Sequence, residues 1–421
     1  MSISPAVRPI NPRKTRTIGE LKTRTFLPGR IGRTVQWDGT AAAVLLLALA
    51  AAATLAIGSA DPFVEWAYEG GVFLLAGWVT LRMPLERDLR FGPILAAVSV
   101  LSFWGFGQLA AGSTVYRYAT LNASLRVAAL GATALVASAV FQRAKSRDRL
   151  LRGLLHGFAW FGFLIGIASV VAYYTSPGRI LWVFPNPYPD VWGPFLSRNN
   201  FAQFLELALP VSLWLGCTMC RTGRGAVYLW MSATMLACGL VSASRAGAVL
   251  LILEAVLVFV LARPPSPRRV IPWFAAGVMV LAALAGGEVL VHRLHDPDPF
   301  GDRREIFASS LAMIAARPGT GYGLGNFATV YPEFARFDPG AVVEHAHNDW
   351  LEWATEGGWP YAAVWMLLAI AATRPALRAI WGIGVPAIFV HAFVDFPFAR
   401  LGVVAWLFIL VGALENRGRP K

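Results

Sequence analysis

The sequence predicts an all-α fold, a polytopic integral membrane protein of about twelve transmembrane helices, and three observations carry that prediction. The 421 residues are 56% hydrophobic and only 14% charged, with a mean hydropathy of +0.55, a balance far from that of a soluble domain. The apolar residues gather in long uncharged runs. The first, "TAAAVLLLALAAAATLAIGSA" from Thr40 to Ala60, is long enough to cross ~30 Å of hydrocarbon as a helix, whereas the spans of a β-barrel would be short and alternating. Third, 26 of the 37 Lys and Arg fall on residues 1–36, alternate inter-helix loops and the last seven residues, the bias expected of cytoplasmic segments.

In chain order, residues 1–36 hold eight basic side chains and few apolar ones, which predicts a cytoplasmic arm with no packed core. They lack the apolar centre of a cleavable signal, so the first span is expected to remain as an anchor. Spans are then read at 40–60, 66–81, 92–110, 121–141, 153–174, 201–220, 227–241, 247–262, 271–291, 351–372, 379–394 and 400–414. The second, eleventh and twelfth are short or interrupted, and Gly382, Gly384 and Pro386 can kink the eleventh rather than end it. This layout gives one membrane domain over 37–414, a large outer loop over 291–350 and an inner tail over 415–421. The loops "RAKSRDRLLR" and "RPPSPRR" fall on the inner side, and an even number of crossings places both termini in the cytoplasm.

Several function classes are set aside. The formal net charge of +13 is explained by cationic loops against an anionic inner leaflet, with no nucleic-acid partner required. Cys217 and Cys220 have CxxC spacing but sit in the apolar run "VSLWLGCTMC" without a second ligand pair, so they read as packing residues, as does Cys238. No Walker loop, dinucleotide fingerprint or HExxH helix occurs. Energy for a reaction would therefore come from an activated substrate, and no cofactor is expected.

Chemistry concentrates on the predicted outer face. Residues 291–350 contain eight carboxylates and five arginines, with His292, His295, His345 and His347. "REIFASSLAMIAARPG" has helix-compatible apolar spacing and a Pro-Gly stop, and reads either as an interfacial helix or as a packed cap. The glycines of "GTGYGLGNF" permit tight turns or close backbone approach. Arg198, Asn199 and Asn200 open the sixth span, and Arg245 sits at a hairpin with almost no loop around it. A guanidinium near hydrocarbon either snorkels to the interface or meets an anion. With Arg303 and Arg304 facing the same compartment, the chemistry suits a diphosphate-bearing lipid. A nearby histidine would orient an attacking hydroxyl or take its proton. Two other site readings stand beside it: zinc on His345, His347 and a carboxylate, helped by His292 or His295, and a glycosidase-like carboxylate pair. A polytopic transporter would more naturally place ionisable groups at the bilayer midplane.

The segment "HAHNDWLEWATEGG" resembles the motif of the O-antigen ligase and O-antigen polymerase superfamily of bacterial membrane glycosyltransferases, with His347, Asn348 and Gly358 in the matching places. "SASRAG" resembles the family's arginine motif at Arg245; "FLSRNNFAQFLELALP", "GDRREIFASSLAMIAARPGTGYGLGNF" and "FVHAFVDFPF" resemble further blocks that include Arg198, Arg303, His391 and Asp395. The resemblance implies a GT-C-like architecture in the bacterial inner membrane. It implies metal-independent, inverting transfer of a glycan from an undecaprenyl diphosphate carrier at the periplasmic face. The acceptor would be lipid A core, another glycan or a protein hydroxyl, with O-antigen ligation the leading reading and repeat-unit polymerisation or protein glycosylation the alternatives. His347 and Arg245 are the expected catalytic pair, Arg245, Arg303 and Arg198 the diphosphate ligands, and His345, Asn348, Glu352, His391 and Asp395 the supporting residues. After Gly358 the chain reads "WPY", a departure from the glycine-rich continuation of some ligases.

Overall fold

A computed structural model describes residues 38–56, 62–82, 92–185, 191–285, 301, 303–338, 340 and 342–415. The basic arm, His292, His295 and the tail beyond Glu415 lie outside the described residues. Among those described, fourteen α-helices account for nearly all regular structure, with one short hairpin, Arg179–Ile180 paired to Phe184–Pro185.

Eight helices are long and apolar enough to cross a membrane. They are α3 (Pro93–Ala111), α4 (Arg117–Ser138), α5 (Arg147–Thr175), α6 (Arg198–Met219), α7 (Arg224–Val241), α8 (Arg245–Ala262), α9 (Pro267–Leu284) and α12 (Asp349–Ala379). The remaining expected spans correspond to helices that miss these criteria. The first and last, α1 (Thr40–Leu55) and α14 (Leu401–Leu414), are apolar but shorter, while α2 (Pro62–Arg82) is 21 residues long but carries Glu65, Glu69 and Arg82. The eleventh expectation requires correction. Its helix, α13 (Gly384–His391), has eight residues and rises ~12 Å, too little to cross.

The sequence of α14, "LGVVAWLFILVGAL", is apolar all round, and every one of its residues is buried, as expected of a helix with no polar face to turn outward. Its Trp406 stacks on Phe158 of α5, ring centroids 4.4 Å apart, and donates from Nε1 to Thr54 Oγ1 of α1 at 2.9 Å. This indole joins three helices in the centre of the bundle.

A cap covers the end where α4 and α12 begin. It contains α10 (Arg303–Ala316) and α11 (Phe327–Phe334), which share a small core of Ile306, Met313, Tyr322, Phe327, Val330 and Tyr331. Thus "REIFASSLAMIAA" is a packed cap helix, burying Ile306, Ser309, Ser310, Met313 and Ile314. The glycine-rich loop between α10 and α11 is a strap. Gln108 of α3 donates to Thr320 O at 2.8 Å and Glu356 O at 2.9 Å, and accepts from Leu324 N at 3.1 Å. Gly323 N also donates to Glu356 O at 2.9 Å.

Within α12 the backbone leaves the helix at Gly358, φ 74° and ψ 174°. A β-carbon there would meet the Gly319 carbonyl, and φ is in the range that glycine tolerates best. The bend lets Trp359 N donate to Pro318 O at 2.9 Å, so cap and helix are joined at the break.

Candidate active site

The N-terminus of α12 organises the site. Asn348 caps it, its Oδ1 accepting from Leu351 N at 3.1 Å, as a short polar side chain does for an orphan helix donor. Just before the cap, His347 adopts a left-handed backbone, φ 51°, a conformation that costs energy for a residue with a β-carbon and is held only by surrounding contacts. One such restraint is Glu352, one turn into the helix: its Oε2 accepts from Ala346 N at 2.8 Å and its Oε1 is 2.9 Å from His345 Nδ1. The two histidines then meet one ring. His345 stacks on Phe396 at 4.6 Å, and His347 approaches it edge-on at 4.9 Å.

Phe396 belongs to the turn that follows α13. That turn is clamped to α12 because Asp349 N donates to Ala392 O at 2.9 Å and Asp349 Oδ2 accepts from Phe398 N at 3.1 Å. The same turn presents Asp395, 2% exposed, with Oδ1 3.9 Å from His347 Nδ1 and Oδ2 accepting from Gln203 Nε2 of α6 at 3.4 Å. Arg303, at the start of α10, donates from Nη1 to Val394 O at 2.7 Å. Burial disfavours the Asp395 carboxylate, yet the imidazole of His347 and the charges of His391 and Arg303 hold its pKa below the ordinary value.

The other two arginines sit at neighbouring helix starts. Ser197 caps α6 by accepting from Asn199 N at 3.2 Å, leaving Arg198 as the first helical residue. Ser244 caps α8 by accepting from Gly247 N at 3.3 Å, leaving Arg245 first. Gly247 lies against Ala202 of α6, where a β-carbon would collide with the alanine methyl, so these two N-termini are in close contact. Ala202 precedes Gln203, and Gln203 reaches Asp395. By this chain of contacts Arg245 and Arg198 lie at the same end of the bundle as His347, Asp395 and Arg303. Three helix N-termini lie there, each a positive dipole end suited to an anion.

His345, Asn348, Glu352 and Asp395 are therefore in or beside the histidine turn. His391 is placed differently, inside the bundle at 1% exposure, with Nδ1 2.7 Å from Glu206 Oε1 of α6. Arg304 is exposed beside the half-buried Arg303. Among the described residues, no group of three or more His, Cys, Asp and Glu side chains is arranged to hold a metal ion.

Sequence reasoning missed Gln203, Glu206 and Glu254. Glu206 and Glu254 are buried in α6 and α8, and neither Glu254 oxygen has a hydrogen-bond partner among the described residues. A signal for both was present: each is a lone carboxylate inside an apolar run, "QFLELALP" and "LLILEAVL", and an intramembrane acid is expensive enough to be a functional candidate by default.

A family model described as O-antigen ligase matches residues 230–366, a segment that contains Arg245, Arg303, His345, His347, Asn348 and Glu352. None of the curated proteins compared matches the chain.

Proposed function

We propose that the chain, carrying this O-antigen ligase domain over 230–366 within a polytopic helical membrane bundle, transfers a glycan from an undecaprenyl diphosphate carrier to an acceptor hydroxyl. The leading reading is O-antigen ligation to lipid A core at the periplasmic face of the inner membrane, with both termini in the cytoplasm. The observation that carries it is the contact chain from His347 through Asp395 and Gln203 to the paired starts of α6 and α8. That chain sets a histidine with a carboxylate neighbour beside the helix ends that bear Arg198 and Arg245.

The chemistry follows from the parts. Arg245, Arg303 and Arg198 grip the donor diphosphate, which stays charged as it leaves and needs fixed donors rather than water. His347 orients the acceptor hydroxyl and takes its proton as the oxygen attacks the anomeric carbon. The bond from that carbon to the diphosphate oxygen breaks with inversion, and undecaprenyl diphosphate departs. Asp395 stabilises the imidazolium that results, while Glu352 and His345 hold the backbone of the turn. No metal enters this scheme.

Purified protein reconstituted with carrier-linked glycan and separate acceptors tests it. Transfer by the wild type, and its loss in His347→Ala and Arg245→Ala, is expected. Full turnover by both variants under conditions where chemistry limits the rate would exclude the mechanism.

A further inference from the structure

The site just described uses the cationic side of the histidine turn. Against the same turn the structure holds a cavity of about 150 Å3, of which His345 is one wall; His347, Asp395, Arg198, Arg245 and Arg303 are not among the residues lining it. The cavity lies between α4, α11 and the first turns of α12. Its aromatic walls include Trp353, Trp365 and Phe398. The indoles of Trp353 and Trp365 stack with centroids 4.2 Å apart, and Phe398 stands edge-on to both at 4.9 Å. Carboxyl groups from Glu344, Asp349, Glu352 and Glu356 join them.

Two features identify what would fit. Trp365 Nε1 is buried, and its side chain interacts with that of Tyr361, which lines the same cavity, so the wall carries an indole and a phenol beside the carboxyl acceptors. Arg126, the one Lys or Arg among the lining residues, is already held through both sides of its guanidinium by Glu65, Nη2 to Oε2 at 2.6 Å. The cavity thus offers aromatic faces, acceptors for hydroxyl groups and neutral donors, but among its lining residues no uncommitted guanidinium or ammonium for an anion. A pyranose ring, with an apolar face and a rim of hydroxyls, suits these groups, while a phosphorylated or uronic sugar would place its charge beside carboxyl groups.

We infer that this cavity is the subsite for the terminal sugar of the acceptor, and that it selects an uncharged sugar. The inference rests on the glycan-transfer reading above. It assigns the two substrates to different chemistry: the donor diphosphate to the arginine-bearing helix starts, the acceptor sugar to the aromatic cavity. Phe396, touched by the stacked His345 and the edge of His347, joins the two halves. Displacement at the anomeric carbon requires the incoming hydroxyl and the outgoing diphosphate to approach from opposite sides, which two separate subsites would allow.

Two variants test it in the full-length protein in lipid nanodiscs. Ala328 lines the cavity from α11 and is exposed, so Ala328→Trp narrows the cavity without removing a structural contact. It should raise the acceptor KM by about tenfold or more and leave the donor KM unchanged. Glu344, also exposed and lining, supplies the second: Glu344→Lys should shift preference toward an acceptor ending in a uronic acid over one ending in a neutral hexose. Alongside the kinetics, a free neutral trisaccharide and its uronic-acid-ended counterpart are titrated calorimetrically against wild type and Ala328→Trp. The wild type should bind the neutral sugar more tightly and Ala328→Trp should lose that binding. An unchanged acceptor KM in Ala328→Trp, a rise in the donor KM instead, or equal binding of both trisaccharides would overturn the subsite. If the wild type transfers nothing from any lipid diphosphate donor, the glycan-transfer reading fails, and the titrations still decide whether the cavity takes sugar.

Discussion

Asp395 sits between two partners that come from distant parts of the chain: one carboxylate oxygen is 3.9 Å from His347 Nδ1, and the other accepts a hydrogen bond from Gln203 at 3.4 Å. The first distance exceeds direct hydrogen bonding, and catalytic contacts commonly tighten only when substrate is bound. Asp395→Asn keeps the shape and removes the charge that would stabilise the imidazolium. It should lower kcat about 10²-fold with little change in donor KM, as measured by steady-state transfer assays. His347→Asn is the cleaner partner variant, because asparagine tolerates the left-handed backbone of residue 347 better than alanine.

The same carboxylate fixes a pH dependence. Its pKa is held below the ordinary value, so the stabilisation it confers is complete above the unfolded-state pKa of ~4 and decays as pH falls through the lower folded value. The difference in thermal unfolding midpoint between wild type and Asp395→Asn should therefore stay constant from neutral pH down to about 4 and close below it. Closure between pH 5 and 7 would mean that Asp395 is not the ionised partner of the turn.

Arg245 opens α8 where diphosphate binding is proposed, and lysine cannot reproduce a planar two-pronged contact. Arg245→Lys is expected to weaken transfer by about tenfold and Arg245→Ala by more, as steady-state transfer assays measure. Arg303→Ala should lower both activity and midpoint, because its guanidinium also holds the Val394 carbonyl. Melting curves and kinetics on the same Arg303→Ala preparation measure both effects.

His391 and Glu206 form a pair with almost no exposure. Removing one partner of a buried pair strands the other, at about 3–5 kcal/mol. Glu206→Leu and His391→Leu should each be strongly destabilised, and the double variant less than either change alone would suggest. A double-mutant cycle in detergent measures the coupling.

The sequence revealed much of the fold because crossing hydrocarbon constrains composition directly: uncharged runs and basic loops located a helix for each expected span. Its error at residues 379–394 has a plain cause. Apolar composition reports burial, and α13 is apolar because it packs inside the bundle against α6 and α12. The site was legible as residue types, since arginines and histidines are conspicuous against an apolar background. The partnership of His347 with Asp395 was not legible: it depends on a turn after α13 being clamped by Asp349, 46 residues earlier in the chain, onto backbone groups that carry no sequence signal. Gln203 was hidden for a similar reason, as one polar residue in a helix whose neighbours dominate the pattern.

The break at Gly358 changes how α12 would be handled during synthesis. Taken as one piece, its 31 residues present an insertion channel with Asp349, Glu352 and Glu356, each costly at a helix centre. Divided at the glycine, the stretch from Trp359 to Ala379 spans ~31 Å by itself and contains no acidic residue. The translocon can release that lower piece into lipid as an ordinary hydrophobic segment, while the carboxylate-bearing upper piece folds afterwards on the water side, against a cap that has already emerged because it precedes α12 in the chain.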